Sequence, residues 1–263
     1  MTYLVIDPVV VDFGFIQIHW YGLMYVFGFL SGYALAIYRI GRGLFPINRE
    51  QMADLLTWIA LGVILGGRVG YMIFYQPARL FDEPLSLFFI WEGGMAFHGG
   101  LIGVIALTWV FARRHQIEPL ALGDALAPLI PLGLGLGRLG NFIGGELWGR
   151  PTDMDWGVVF PRADALSRHP SQLYQFALEG IVLFAVVWAF SSKSRPSGQV
   201  TGLFLLGYGV FRFAVEFVRE PDAHLGFIWL NWMTMGQLLS IPMIAIGIWL
   251  MMLRRGPLNA RIS

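Results

Sequence analysis

The chain has 263 residues, of which 56% are hydrophobic and only 13% charged, with a net charge of +1 and no cysteine. Soluble domains carry about 25% charged residues, so this composition excludes water as the main solvent. The small net charge leaves no basic footprint for nucleic acid, and the missing cysteines exclude a disulfide, a thiolate nucleophile and a cysteine-ligated metal.

A membrane span needs about 20 mainly apolar residues. Seven such stretches follow in chain order: His19 to Tyr38, Ala53 to Tyr75, Met95 to Phe111, Ala121 to Phe142, Gln172 to Phe190, Val200 to Val218 and Thr234 to Leu253. The first Arg or Lys is Arg39, so no charged signal-peptide leader precedes them, and the chain is expected to enter the membrane through its own spans. The fourth stretch is rich in glycine and interrupted by Pro128 and Pro131. Such a segment needs protein or a wet cavity around its backbone. The expected fold is all-α and integral to the membrane: one polytopic domain over 1–263, with an outer loop segment near 143–171.

Lys and Arg in the connections set orientation. Arg39, Arg42, Arg49, Arg113, Arg114, Lys193, Arg195, Arg254, Arg255 and Arg261 fall on one side, and Arg79, Arg150, Arg162, Arg168 and Arg219 on the other. The first side is expected in the cytoplasm, which puts the N-terminus outside and the C-terminus inside. Trp20, Trp91, Trp148, Trp156, Trp229 and Trp232 then gather near the outer boundary, as aromatic belts do. No internal repeat of the transporter kind appears. The inner halves of the spans are largely apolar, which disfavours a transport path lined by polar groups through the full depth.

Arg68, Arg138 and Arg212 remain inside spans. A centred Arg costs about 2.5–3.5 kcal/mol on insertion scales, so these are functional candidates. Counted at 1.5 Å per residue, all three lie in the outer half, level with His98 and Tyr21 at the starts of inward-running spans. Asn141 and Glu146 follow Arg138 outward. Tyr208, Arg212 and Glu216 recur every fourth residue and form one stripe. Arg212 and Glu216 also suit a purely structural ion pair, and Arg68, after Gly66 and Gly67, could snorkel to headgroups. His98 lies between Gly93-Gly94 and Gly99-Gly100, where a backbone or substrate can approach closely. His19, His115, His169 and His224 sit at span edges or in loops. Gly62, Gly66 and Gly70 have helix-packing spacing.

Other chemistries lack their patterns. There is no H-E-x-x-H for a zinc hydrolase and no G-x-S-x-G nucleophile elbow. Gly135-Leu-Gly137-Arg-Leu-Gly140 fits G-x-G-x-x-G but follows no strand, so a dinucleotide site is rejected. No metal and no organic cofactor is expected.

At Gly137-Arg-Leu-Gly-Asn-Phe-Ile-Gly-Gly-Glu-Leu-Trp-Gly149 the sequence resembles the bacterial prolipoprotein diacylglyceryl transferases. The likeness runs through His19-Trp-Tyr-Gly-Leu-Met-Tyr25, Gly66-Gly-Arg-Val-Gly-Tyr71 and Gly93-Gly-Met-Ala-Phe-His-Gly-Gly100. It continues in Arg168-His-Pro-Ser-Gln-Leu-Tyr174, Gly207-Tyr-Gly-Val-Phe-Arg212 and Val215-Glu-Phe217. Two departures stand out: Gly144 where the family often has Asn, and an outer segment before Arg168 that is shorter than in some relatives.

The resemblance implies a bacterial inner-membrane enzyme with its site toward the outer leaflet. It would move the diacylglyceryl group of phosphatidylglycerol to the lipobox cysteine thiol of a prolipoprotein, releasing glycerol 1-phosphate. His98 would be the base, since imidazole titrates near neutral pH. Arg138 and Arg212 would grip the phosphate bidentately. Tyr21, Asn141 and Glu146 would complete the catalytic set, with Glu216, Tyr208, Gly149 and Arg68 at the lipid.

Overall fold

The computed structural model describes residues 6–14, 17–221, 226–230 and 232–252. His224, Arg254, Arg255 and Arg261 lie outside them. All seven apolar stretches contain a long helix: α1 Trp20–Gly41, α2 Arg49–Tyr75, α3 Phe97–Arg114, α4 Pro119–Gly144, α5 Ser171–Phe190, α6 Gln199–Val215 and α7 Met235–Met252. Five of these (α1, α2, α4, α5 and α7) are long and apolar enough to cross a membrane, whereas α6 is apolar but has 17 residues. The all-α expectation needs one addition. Two short antiparallel pairs flank the helices: β1 Val9–Asp12 with β2 Gln17–His19, and β3 Val158–Val159 with β4 Ser167–Arg168.

The chain forms two compact units, one from the described residues up to Arg39 and from Gly123 onward, the other from Ile40–Leu122. In the first, α1 meets α4 through glycines: a Cβ on Gly28 would lie 3.2 Å from Gly133 Cα. Ala127, Leu183, Val187, Val200 and Phe204 form an apolar core between α4, α5 and α6. Asp124 fastens the start of α6, accepting from Gly198 N, Thr201 N and Thr201 Oγ1, each at 2.7 Å. Pro128 and Pro131 are absorbed by a 3₁₀ turn at Ala127–Leu129 before α4 resumes. The helix then ends at Gly145 (φ 62°), where Gly145 N donates to Phe142 O and Glu146 N to Asn141 O. That paired closure is a Schellman motif, and it aims Glu146 from the exit of the helix that carries Arg138.

In the second unit, α2 starts with a reciprocal cap between Asn48 and Gln51. Its glycine seam packs on that of α3, so tightly that a Cβ on Gly62 would lie 2.8 Å from Gly103 O and one on Gly70 2.7 Å from Gly99 Cα. Small residues let helix backbones approach this closely in lipid, where no hydrophobic force draws helices together. Outward positions such as Phe27, Leu30, Leu65, Ile105 and Trp249 are exposed and apolar, while Arg68, Gln175, Glu179, Glu216 and Gln237 are buried. This inverts the soluble pattern.

Candidate active site

The first unit holds a buried ionic cluster. Arg138 projects from α4, Tyr208 and Arg212 from α6, and Glu179 from α5. Residues Phe176–Val182 of α5 form a π-helical turn, whose extra residue widens the helix. Gly180 in that turn packs against Gly135, where a Cβ would come within 2.8 Å of backbone. The neighbouring Glu179 is fully buried, with Oε2 3.8 Å from Arg138 Nε. Neither of its carboxylate oxygens has a hydrogen-bond partner among the described residues. Tyr208 lies in electrostatic reach of Arg138, Glu179 and Arg212.

Glu216, in the turn after α6, is a hub. Its Oε1 accepts from Arg212 at 2.6 Å and from Arg219 at 3.0 Å, and its Oε2 accepts from Thr234 Oγ1 at 2.6 Å. A carboxylate so engaged orients arginines and has little capacity left for a ligand hydroxyl. Arg212 keeps one donor in reserve: Nη1 is buried with no partner among the described residues. A buried unpaired donor is costly, which makes Nη1 a natural contact for an incoming anion.

Tyr21, at the start of α1, packs over Gly140 and shares a 2.9 Å hydroxyl contact with Tyr25. It lies in reach of both Arg138 and Glu146. Asn141 is buried one turn beyond Arg138, and Glu146 is anchored through its carbonyl, which accepts from Gln172 Nε2. A side chain at Gly144 would begin 3.6 Å from Glu146 Oε1, so the residue replaced here is one that abuts this carboxylate.

Outside the helices, Gly149 is squeezed between two segments: a Cβ would lie 2.5 Å from His169 O and 2.6 Å from Val218 O. Gly149 N donates to His169 O, and Gly149 bridges antiparallel to Arg219. Arg168 ties this crossing together through Gly149 O, Glu220 and Asp164. The Arg168 guanidinium holds the Asp164 carboxyl below the usual carboxylate range, and partial burial pushes the His169 imidazole below its ordinary value.

Arg68 and His98 belong to the second unit. Arg68 is buried and spends its guanidinium on backbone carbonyls: Nη2 to Ser86 O (2.6 Å), Nε to Leu87 O (3.2 Å) and Nη1 to Gly93 O. This overturns the snorkelling reading, because the head lies inside protein. The loop it clasps has Gly93 and Gly94 at φ 79° and 76° and leads into α3. His98 occupies the first turn of α3, exposed and edge-on to Phe97.

The structure thus brings together Tyr21, Arg138, Glu146, Tyr208, Arg212 and Glu216, and gives Arg68 and His98 surroundings of their own. Sequence reasoning missed Glu179, Asp124, Arg219 and Thr234. The signal for the first two was available, since the rule that singled out three arginines inside spans applies equally to carboxylates. Among the described residues, no group of three or more His, Asp or Glu is placed to hold a metal ion.

The family model for prolipoprotein diacylglyceryl transferase matches residues 8–253. A Legionella pneumophila phosphatidylglycerol–prolipoprotein diacylglyceryl transferase is 52% identical over 255 residues, covering 97% of this chain and all of that protein. Proteins described in the same words from Nitratidesulfovibrio vulgaris and a Marinomonas species are 52% and 54% identical, over 97% and 96% of this chain and 97% and 94% of their own lengths.

Proposed function

The chain belongs to the prolipoprotein diacylglyceryl transferase family, and from that membership we propose how its residues carry out the reaction. The enzyme transfers the diacylglyceryl group of phosphatidylglycerol to a prolipoprotein, the first step of lipoprotein maturation. The acceptor is the lipobox cysteine thiol. As the carbon–sulfur bond forms, the glycerol carbon–oxygen bond breaks and glycerol 1-phosphate departs with the electron pair.

A thiol with pKa near 8.5 is only a few per cent thiolate at neutral pH, so a base is needed, and His98 takes the proton. Arg138 and Arg212 hold the phosphate and stabilise the charge that develops on its ester oxygen. The observation that carries this reading is the buried cluster, with Arg212 Nη1 unpaired and Arg138 held only loosely by Glu179. Glu216 fixes Arg212, while Tyr21, Asn141, Glu146 and Tyr208 supply hydrogen bonds around the headgroup. Gly149 keeps the outer loop close to that site, and Arg68 shapes the loop before His98.

In this reading the chain is a single membrane domain of seven spans, with α3 and α6 crossing as well as the five helices that length and composition already qualify. The positive-inside distribution puts its N-terminus and site on the outer side of the bacterial inner membrane. The test is transfer of labelled diacylglyceryl from phosphatidylglycerol vesicles to a lipobox peptide. His98→Ala is expected to insert normally and transfer nothing; near-normal activity removes His98 as the base.

A further inference from the structure

Arg212 meets its carboxylate unevenly. Arginine–carboxylate pairs are frequently bidentate, with two parallel N–H groups on two oxygens. Here Nη2 donates to Glu216 Oε1 at 2.6 Å, while Nη1 is buried without a partner among the described residues. The second carboxylate oxygen is already taken: Oε2 accepts from Thr234 Oγ1 at 2.6 Å.

The start of α7 places Thr234 for this task. Thr234 precedes Met235 as the N-cap, in a reciprocal box with Gln237. Gln237 N donates to Thr234 Oγ1 at 3.3 Å, and Thr234 N donates to Gln237 Oε1 at 3.0 Å. A hydroxyl has one proton and two lone pairs. With its oxygen accepting from the helix, its proton is directed at Glu216. Gly236 closes the arrangement, since a Cβ there would lie 2.7 Å from Glu216 Cδ, so the first turn of α7 presses on the carboxylate. Thr234, Gln237 and Glu216 are all buried.

We infer that Thr234 is a positioning residue that keeps the Arg212–Glu216 pair one-armed and so reserves Arg212 Nη1 for the lipid phosphate. Without the hydroxyl, Oε2 is a buried acceptor lacking a donor, which is costly. A turn of the carboxylate then brings Oε2 onto Nη1 and closes the fork. The phosphate has to break that bond before it binds. The loss falls on lipid binding and is gone once the lipid is held, so KM for the lipid rises while kcat stays.

The inference rests on the transferase reading. Steady-state transfer to a lipobox peptide tests it, with phosphatidylglycerol at rising mole fraction in phosphatidylcholine vesicles. Thr234→Val keeps the shape and removes the donor. KM for phosphatidylglycerol should rise about tenfold or more, with kcat and the peptide KM nearly unchanged. Thr234→Ser returns the proton and should return the wild-type KM. Gln237→Met breaks the other half of the cap and leaves the Thr234 hydroxyl in place, so it should lower the unfolding temperature without moving the lipid KM. A wild-type lipid KM in Thr234→Val overturns the inference. So does an equal rise in Gln237→Met, or a rise shared by both substrates, since either makes Thr234 a helix cap and nothing more. If the valine variant does not fold, Thr234→Ala, which adds no bulk, is read by the same rule. Absence of any transfer by wild type would instead count against the transferase reading.

Discussion

At the residue scale, what matters is how each arginine spends its donors. Arg68 gives all three nitrogens to carbonyls, and Arg168 divides its own between two carboxylates and Gly149 O. Arg212 alone of these keeps a buried nitrogen unspent. Lysine offers a point charge without a planar fork, so Arg138→Lys and Arg212→Lys are each expected to lose at least tenfold in transfer. Full activity of both, measured with the same peptide, would rule out bidentate phosphate binding. Arg138 and Arg212 were legible in the sequence because a charge at span depth needs a reason. The task of Arg68 was not, because its partners are main-chain oxygens, which every sequence has. Glu179 was legible as a charge at span depth, but its place in a π turn was not, because helical spacing counts only 3.6 residues per turn.

At the element scale, the α2–α3 seam was readable as packing, and the backbone contacts bear that out. Gly66 faces Gly99 O and Gly103 Cα so closely that an added methyl must push the helices apart. Overpacking of this kind costs about 1–3 kcal/mol, so Gly66→Ala should lower the detergent unfolding temperature measurably; an unchanged midpoint would mean that the seam yields. The outer loop was legible only as a long polar connection, since its two-residue strands are too short for any periodicity. Its charges make it pH-sensitive. Both His169 and Asp164 have depressed pKa values, so each contributes stability that is present above its unfolded value and lost as pH falls through the folded one. Amide protection in 149–169 should therefore weaken first below about pH 6.5, as His169 is forced to charge, and again below about 3.8, as Asp164 releases Arg168. A single sharp loss near pH 5, seen by hydrogen exchange, would contradict this assignment.

At the scale of the whole molecule, the apolar exterior and ionic interior follow from composition, and the helices fall where hydropathy put them. Orientation remains a matter of charge bias, and the chain offers a clean test because it has no cysteine. Asp155→Cys should react with a membrane-impermeant maleimide added outside intact cells, and Ser192→Cys only after lysis; the reverse labelling would invert the topology. What hydropathy could not reveal is that the first unit is discontinuous, leaving at Arg39 and resuming at Gly123. Gly28 of α1 finds its partner only when Gly133 of α4 has been made. At about 5–20 residues per second, the ribosome needs on the order of ten seconds to deliver it. During that interval the glycine face of α1 waits for Gly133, and an insertase or chaperone that shelters it, or a protease that finds it first, governs the yield of enzyme as much as the stability of the finished fold.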